Sequence, residues 1–165
     1  MQVYLGLGSN LGDRQTNMEK ALKLLGDTLQ IELVSSIYET EPVGFEEQPM
    51  FLNAVCRGQT ELGPLQLLSL VKGIEASLGR VSSFPNAPRT IDLDIIFYGN
   101  MIMQTPELTI PHPRLEERAF VLTPLLEIAP DLRHSVSGES IKDLAASVQG
   151  SEGVKKIGEL RVGDV

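Results

Sequence analysis

The chain of 165 residues carries 42% hydrophobic and 22% charged residues and a formal charge of -8, a balance that fits a folded globular domain and excludes a disordered chain. Its acidity disfavours broad electrostatic binding to nucleic acid or an anionic membrane, so an anionic ligand would need a local basic cluster or a metal. Cys56 is the only cysteine, which excludes an intrachain disulfide and a cysteine-rich metal site. No basic leader precedes a long apolar run, and no stretch of about 18 apolar residues occurs. The expectation is a cytoplasmic protein that binds no membrane, built as a single domain over 1–165 with 150–165 a loosely held tail.

In chain order, Val3 to Leu7 is short, apolar and strand-forming, and it ends at the turn signal Gly8-Ser9-Asn10. From Asp13, a candidate N-cap, Met18, Ala21, Leu22 and Leu25 recur at helical spacing up to Gly26. Ile31 to Tyr38 and Phe51 to Gly58 predict two strands that pair antiparallel across the irregular segment containing Pro42, Val43 and Gly44. Gly63-Pro64 opens a second helix through Leu67, Leu68, Val71, Ile74 and Leu78, closed by Gly79. A polar stretch from Arg80 to Pro88 leads into a strand around Asp92 that stops at Gly99-Asn100. The order βαββαβ is the ferredoxin-like α+β plan, an antiparallel sheet with helices packed on it. Additional C-terminal helices are predicted at Arg114 to Glu127 and Ser140 to Val148.

Asp92 and Asp94 stand two residues apart in an otherwise apolar strand, so they share one face while Ile91, Leu93 and Ile95 share the other. Neighbouring carboxylates resist full ionisation unless a cation or proton intervenes, and this hard-oxygen pair suits Mg²⁺ beside substrate phosphates. The bland alternative is a wet edge strand. Arg89 and Thr90 just upstream, with His112, Arg114 and Arg118 downstream, supply phosphate-compatible donors. Gly6-x-Gly8 with Gly12 does not match the dinucleotide fingerprint, because its third glycine falls one place late. The glycines read instead as a strand-to-helix turn needing positive φ. Phe51 and Asn53 repeat the i,i+2 relation, an aromatic face beside an amide able to read the edge of a planar heterocycle. Phe120 is a second candidate wall.

Six collinear segments resemble one family: Gly8-Ser9-Asn10, Tyr38 to Gly44, Gln48 to Ala54, Ile74 to Arg80, Pro88 to Asp94 and Ile110 to Arg114. The chain resembles the 6-hydroxymethyl-7,8-dihydropterin pyrophosphokinases of folate biosynthesis over roughly Met1 to Pro130. The resemblance implies Mg²⁺-dependent transfer of pyrophosphate from ATP to the pterin, leaving AMP, by a monomer. It assigns Asp92 and Asp94 to two Mg²⁺ ions, and Arg80 and Arg89 to a closing loop. It places Thr40, Val43, Phe51, Asn53 and Phe120 at the pterin, and Lys72, Glu75, Ile95, Leu108, Thr109, His112 and Arg118 at ATP. Asn86-Ala87-Pro88-Arg89 departs from the Arg-Trp-Gly-Pro-Arg common in the family, so a loop tryptophan is missing. Two other readings stand beside this one: a ferredoxin-like module that binds a nucleotide or metabolite without chemistry, and an ATP-independent pterin aldolase.

Overall fold

The computed structural model describes residues 1–41, 50–79 and 89–161. Strand β1 (Gln2–Ser9) leads to helix α1 (Arg14–Gly26), whose first turn is capped as expected by the Asp13 carboxylate accepting from the Thr16 amide at 3.1 Å. Strands β2 (Gln30–Val34), β3 (Ser36–Thr40) and β4 (Phe51–Gln59) precede helix α2 (Pro64–Ser77). Strand β5 (Asp92–Tyr98) is followed by a small hairpin of β6 (Met103–Gln104) and β7 (Thr109–Ile110). Helices α3 (Ala119–Ile128) and α4 (Ile141–Ser147) then lead to β8 (Lys155–Glu159).

The main sheet is antiparallel in the order β5-β1-β4-β3-β8, with β2 also on β4. The βαββαβ order with β1 between β4 and β5 is the ferredoxin-like α+β arrangement. Helices α1 and α2 bury Met18, Leu22, Leu67 and Val71 against Val3, Leu5, Leu7, Leu93 and Ile95 on one face. Helices α3 and α4 bury Leu122, Leu125, Ile141 and Leu144 against Tyr4, Val55, Ile96 and Phe97 on the other. Fully burying each such aliphatic side chain contributes about 1.5–3 kcal/mol, so both faces are substantially stabilised.

Four expectations change. The helix predicted from Arg114 to Glu127 is a 3-10 turn over Leu115–Glu117, an extended Arg118, and α3 only from Ala119. The strand predicted from Ile31 to Tyr38 is two strands, interrupted at Ser35, whose amide donates to the Val55 carbonyl at 2.8 Å and whose Oγ accepts from the Val55 amide at 2.9 Å. Val34 lies opposite Cys56 and Tyr38 opposite Asn53, so one extra residue is accommodated on the β2–β3 side, as in a bulge. The loosely held tail contains β8, which pairs Ser36 with Glu159 and Ile37 with Gly158 and so covers the edge of β3. Its side chains, those of Lys155, Lys156, Ile157 and Glu159, all stay exposed, which is why composition alone reads as loose. Lastly, β5 does not alternate throughout. Leu5 faces Ile95 and Tyr4 faces Phe97, so Ile96 and Phe97 both turn toward α3, while upstream Asp92 and Asp94 keep the expected common face.

Candidate active site

The α3 face of the sheet hollows at one end into a cavity of about 250 Å³. Its floor follows from register. Gly8 lies opposite Asn53 on β4 and Asp92 on β5, and Gly6 lies opposite Val55 and Asp94. Both glycines sit inside β1 without positive φ; of the glycines in this motif only Gly12, at φ 73°, has it. The turn reading therefore holds for Gly12 alone. A Cβ on Gly8 would stand 3.0 Å from Asn53 Oδ1 and 3.7 Å from Phe51, so a bare strand is what leaves room between these side chains.

On one side of this glycine strip, Asn53 is buried and donates through Nδ2 to Thr40 Oγ1 at 2.9 Å. Phe51 and Phe120 line the same hollow, and Arg118 lies over the Phe120 ring at 5.5 Å. On the other side, the Arg89 guanidinium contacts Asp92 Oδ2 at 3.1 Å and Arg118 approaches Asp94 Oδ2 at 3.8 Å. The lead into β5 is bolted to the end of β1. Ser9 Oγ donates to the Thr90 carbonyl at 2.6 Å, the Asn10 amide donates to the Arg89 carbonyl at 3.0 Å, and Asn10 Oδ1 accepts from the Arg89 amide at 2.7 Å.

Burial, reinforced by the charge of Asp92, pushes the Asp94 carboxyl up to about 6 against the pull of Arg118. The pair is a donor set suited to Mg²⁺, which needs one or two carboxylates and otherwise keeps water and phosphate oxygens. No cluster of three or more His, Cys, Asp or Glu forms a cage among the described residues. Because the folded state holds the Asp94 proton above the ordinary 3.8, ionised Asp94 costs stability above about pH 6, and that cost disappears as pH falls toward the unfolded value. Asp94→Asn should therefore raise the metal-free melting temperature near neutral pH, by the equivalent of about 1 kcal/mol once solvent screening is allowed for. Thermal melts in chelator across pH test this; a gain that persists unchanged in acid would contradict it.

Residues 4–130 match the model of the 7,8-dihydro-6-hydroxymethylpterin-pyrophosphokinase (HPPK) family. The chain belongs to this family. The 2-amino-4-hydroxy-6-hydroxymethyldihydropteridine pyrophosphokinase of Aquifex aeolicus (strain VF5) is 44% identical over 141 residues, covering 86% of this chain and 88% of that one. That of Bacillus subtilis (strain 168) is also 44% identical over 141 residues, covering 84% of each. The folic acid synthesis protein fol1 of Pneumocystis carinii is 49% identical over 140 residues, 84% of this chain but 19% of that protein. A solved Plasmodium falciparum HPPK-DHPS with pterin and p-hydroxybenzoate shares the fold at a TM-score of 0.74 and 18% identity, over 94% of this chain and 45% of that one.

In this HPPK fold, the cavity unites Thr40, Phe51, Asn53, Arg89, Asp92, Asp94, Arg118 and Phe120. Val43 and Arg80 lie outside the described residues. Lys72, Glu75, Ile95, Leu108, Thr109 and His112 are not in its lining. Glu75 reaches from α2 to accept from the Leu93 amide at 2.7 Å, with Lys72 at 3.5 Å from its other oxygen. Ile95 is buried in the α1–α2 core, Leu108 packs against that core, and Thr109 is in β7. The His112 amide donates to Ile96 O at 3.0 Å and its Nδ1 accepts from the Arg114 amide at 3.2 Å. Burial, then Arg118, lowers the His112 pKa to about 4, so the imidazole is neutral with its proton on Nε2. Sequence reasoning missed Gly6, Gly8, Glu41, Glu117 and Val121 as lining residues. The alternation of Gly6 and Gly8 before Ser9 was the available signal for the first two.

Proposed function

We propose that this chain transfers the β,γ-pyrophosphoryl unit of ATP to the hydroxymethyl oxygen of 6-hydroxymethyl-7,8-dihydropterin, with Mg²⁺ held by Asp92 and Asp94. The observation that carries this reading is the row Asp92, Gly8, Asn53 across three neighbouring strands. Strand spacing sets the carboxylate and the amide about 10 Å apart, with nothing projecting between them. A pterin stacked between Phe51 and Phe120, its polar edge at Asn53, can extend its hydroxymethyl arm over the glycines toward the aspartates.

In the reaction the hydroxymethyl oxygen bonds to the β-phosphorus of ATP as the bond from that phosphorus to the α-phosphate bridging oxygen breaks. The products are AMP and the pterin diphosphate, and the hydroxyl proton is released. When bound, Mg²⁺ supplies neutralisation of phosphate charge and alignment of the transferred group. Asp92 and Asp94 would hold it, Arg89 and Arg118 would take phosphate oxygens, and the aromatic walls exclude water from the reacting end. Neutral His112 offers Nε2–H as a hydrogen-bond donor to the nucleotide, alongside contacts from Lys72, Glu75, Ile95, Leu108 and Thr109. Arg80 and Val43 keep the loop and pterin roles implied by family resemblance. We place the chain in the cytoplasm as a single-domain monomer; no helix among the described residues is long and apolar enough to cross a membrane.

Incubation with Mg²⁺, ATP and the pterin, followed by mass identification of products, tests the reading. AMP and the pterin diphosphate are expected, and AMP must depend on pterin. ADP would indicate single phosphoryl transfer, and no product at all a binding module. Asn53→Ala should weaken pterin binding about 30-fold, as losing hydrogen bonds of a buried amide predicts, and leave the ATP KM within about twofold. Unchanged pterin affinity in titration would remove Asn53 from the site.

A further inference from the structure

The cavity has walls of unequal firmness. Strand β4, carrying Phe51 and Asn53, is flanked by β1 on one side and by β2 and β3 on the other. Thr40 ends β3, for which the structure gives three residue pairs with β4 and whose other neighbour is the exposed β8. Phe120 and Val121 stand in the first turn of α3, which contains Pro124. A proline four residues after Phe120 cannot donate to the Phe120 carbonyl, so this turn has one intrahelical bond fewer and depends more on tertiary anchoring.

The polar link between these two walls is Glu127, in the last turn of α3. Its carboxylate accepts from the Ser36 amide at 3.0 and 3.1 Å, from Ser36 Oγ at 3.0 Å and from the Tyr38 hydroxyl at 2.6 Å. Ser36, Tyr38 and Thr40 alternate onto the same face of β3, so Glu127 grips the strand within four residues of the pocket. Its desolvation would raise the pKa, but the Tyr38 hydroxyl, both Ser36 donors and the charge of Lys156 outweigh it and hold the carboxylate ionised. Burial and Glu127 push the Tyr38 hydroxyl above its usual range, so it remains a donor. None of these groups lines the cavity.

We propose that Glu127, acting through Ser36 and Tyr38, is a positioning residue that sets the spacing of the Thr40 and Phe120 walls and thereby tunes pterin affinity. This rests on the pterin assignment of the cavity. The α3 helix is about 15 Å long, so a small tilt about its anchored last turn becomes a displacement of Phe120 at the first. The aspartate side, where pyrophosphoryl transfer is placed, is bolted separately through Ser9 and Asn10, so the transfer should be spared.

Glu127→Gln places an amide donor against one of the three donors and removes the charge; Tyr38→Phe deletes one bond and keeps the packing. Pterin KM should rise about five- to tenfold in Glu127→Gln and about threefold in Tyr38→Phe, as expected for lost charge-assisted hydrogen bonds. In both variants kcat and the ATP KM should stay within about twofold. The double variant should be no worse than Glu127→Gln alone, since Tyr38 acts through Glu127. A lower melting temperature with parental pterin KM in both variants would reduce the network to scaffolding and overturn the role. Equal losses in kcat and ATP affinity would overturn it as well. If Glu127→Gln does not fold, the pterin KM of Tyr38→Phe decides by the same criterion. A wild-type protein that forms no AMP overturns the function itself, whereas a working wild type with unaltered variants overturns Glu127 alone.

Discussion

Asp92→Ala should lower AMP formation by at least about a thousandfold, the loss expected when a charge-neutralising centre is taken from a phosphoryl-transfer site. Asp92 is the carboxylate nearest the strand start, opposite Gly8 and in contact with Arg89. Without it Asp94 alone would have to hold the cation, with Arg118 competing for the same carboxylate. Pterin affinity in the absence of metal should change little, because Asn53 and Phe51 stand on β4 on the far side of β1. Steady-state turnover of purified variant, with circular dichroism as a control for folding, measures the effect. Near-normal turnover would sink the metal assignment.

The second large effect is expected at Arg89. In the ligand-free chain its guanidinium occupies the charge position beside Asp92 that a cation would take. In the proposed reaction, substrate loading would have Arg89 exchange a carboxylate for phosphate oxygens, both of which suit its planar fork. Arg89→Ala should lower kcat about a hundredfold, the scale of one preorganised donor to a developing charge. Binding of Mg²⁺ alone should become no weaker, and tighter if Arg89 competes for Asp92. Pterin affinity should stay within about threefold. Calorimetric titration with Mg²⁺ separates the two roles: weaker metal binding in the variant would show that Arg89 supports the metal site instead of competing for it.

The elements that could be read from the chain were those whose burial is periodic. Leu67, Val71 and Ile74 repeat at helical spacing and are buried as such, while Asp13 and Gly63 occupy the N-caps their types suggest. Asp92 and Asp94 stood out because charge in an apolar strand is costly without a partner, and the structure sets them on the cavity floor. Less legible was anything that depends on a partner strand. The break at Ser35 uses a side chain in place of a ladder bond, and the bulge at Ile96 exists only relative to β1. β8 is exposed along nearly all its length and is held by backbone pairing, for which hydrophobic pattern gives no cue. Glu75 and Ile95 look like core from position alone, and the structure buries both; their nucleotide role rested on resemblance. Glu127 left no mark in the sequence, because an exposed helical glutamate is ordinary until its strand partner is known.

The two-faced sheet divides the molecule's labour by layer. The cavity opens on the α3 side, whereas α1 and α2 pack against the reverse of the same strands. Residues such as Met18, Leu67 and Val71 therefore lie behind the floor and do not touch its chemistry. Sequence drift in that layer can exchange one well-packed set of side chains for another without retuning pterin recognition. The residues proposed for the nucleotide, Lys72, Glu75, Ile95 and Leu108, are the exceptions, and Glu75 also reaches through to the amide between the two aspartates. For an engineer this separates two dials: thermal robustness can be adjusted from the α1–α2 layer and specificity from the α3 layer, with the back of β5 as the place where turning one also turns the other.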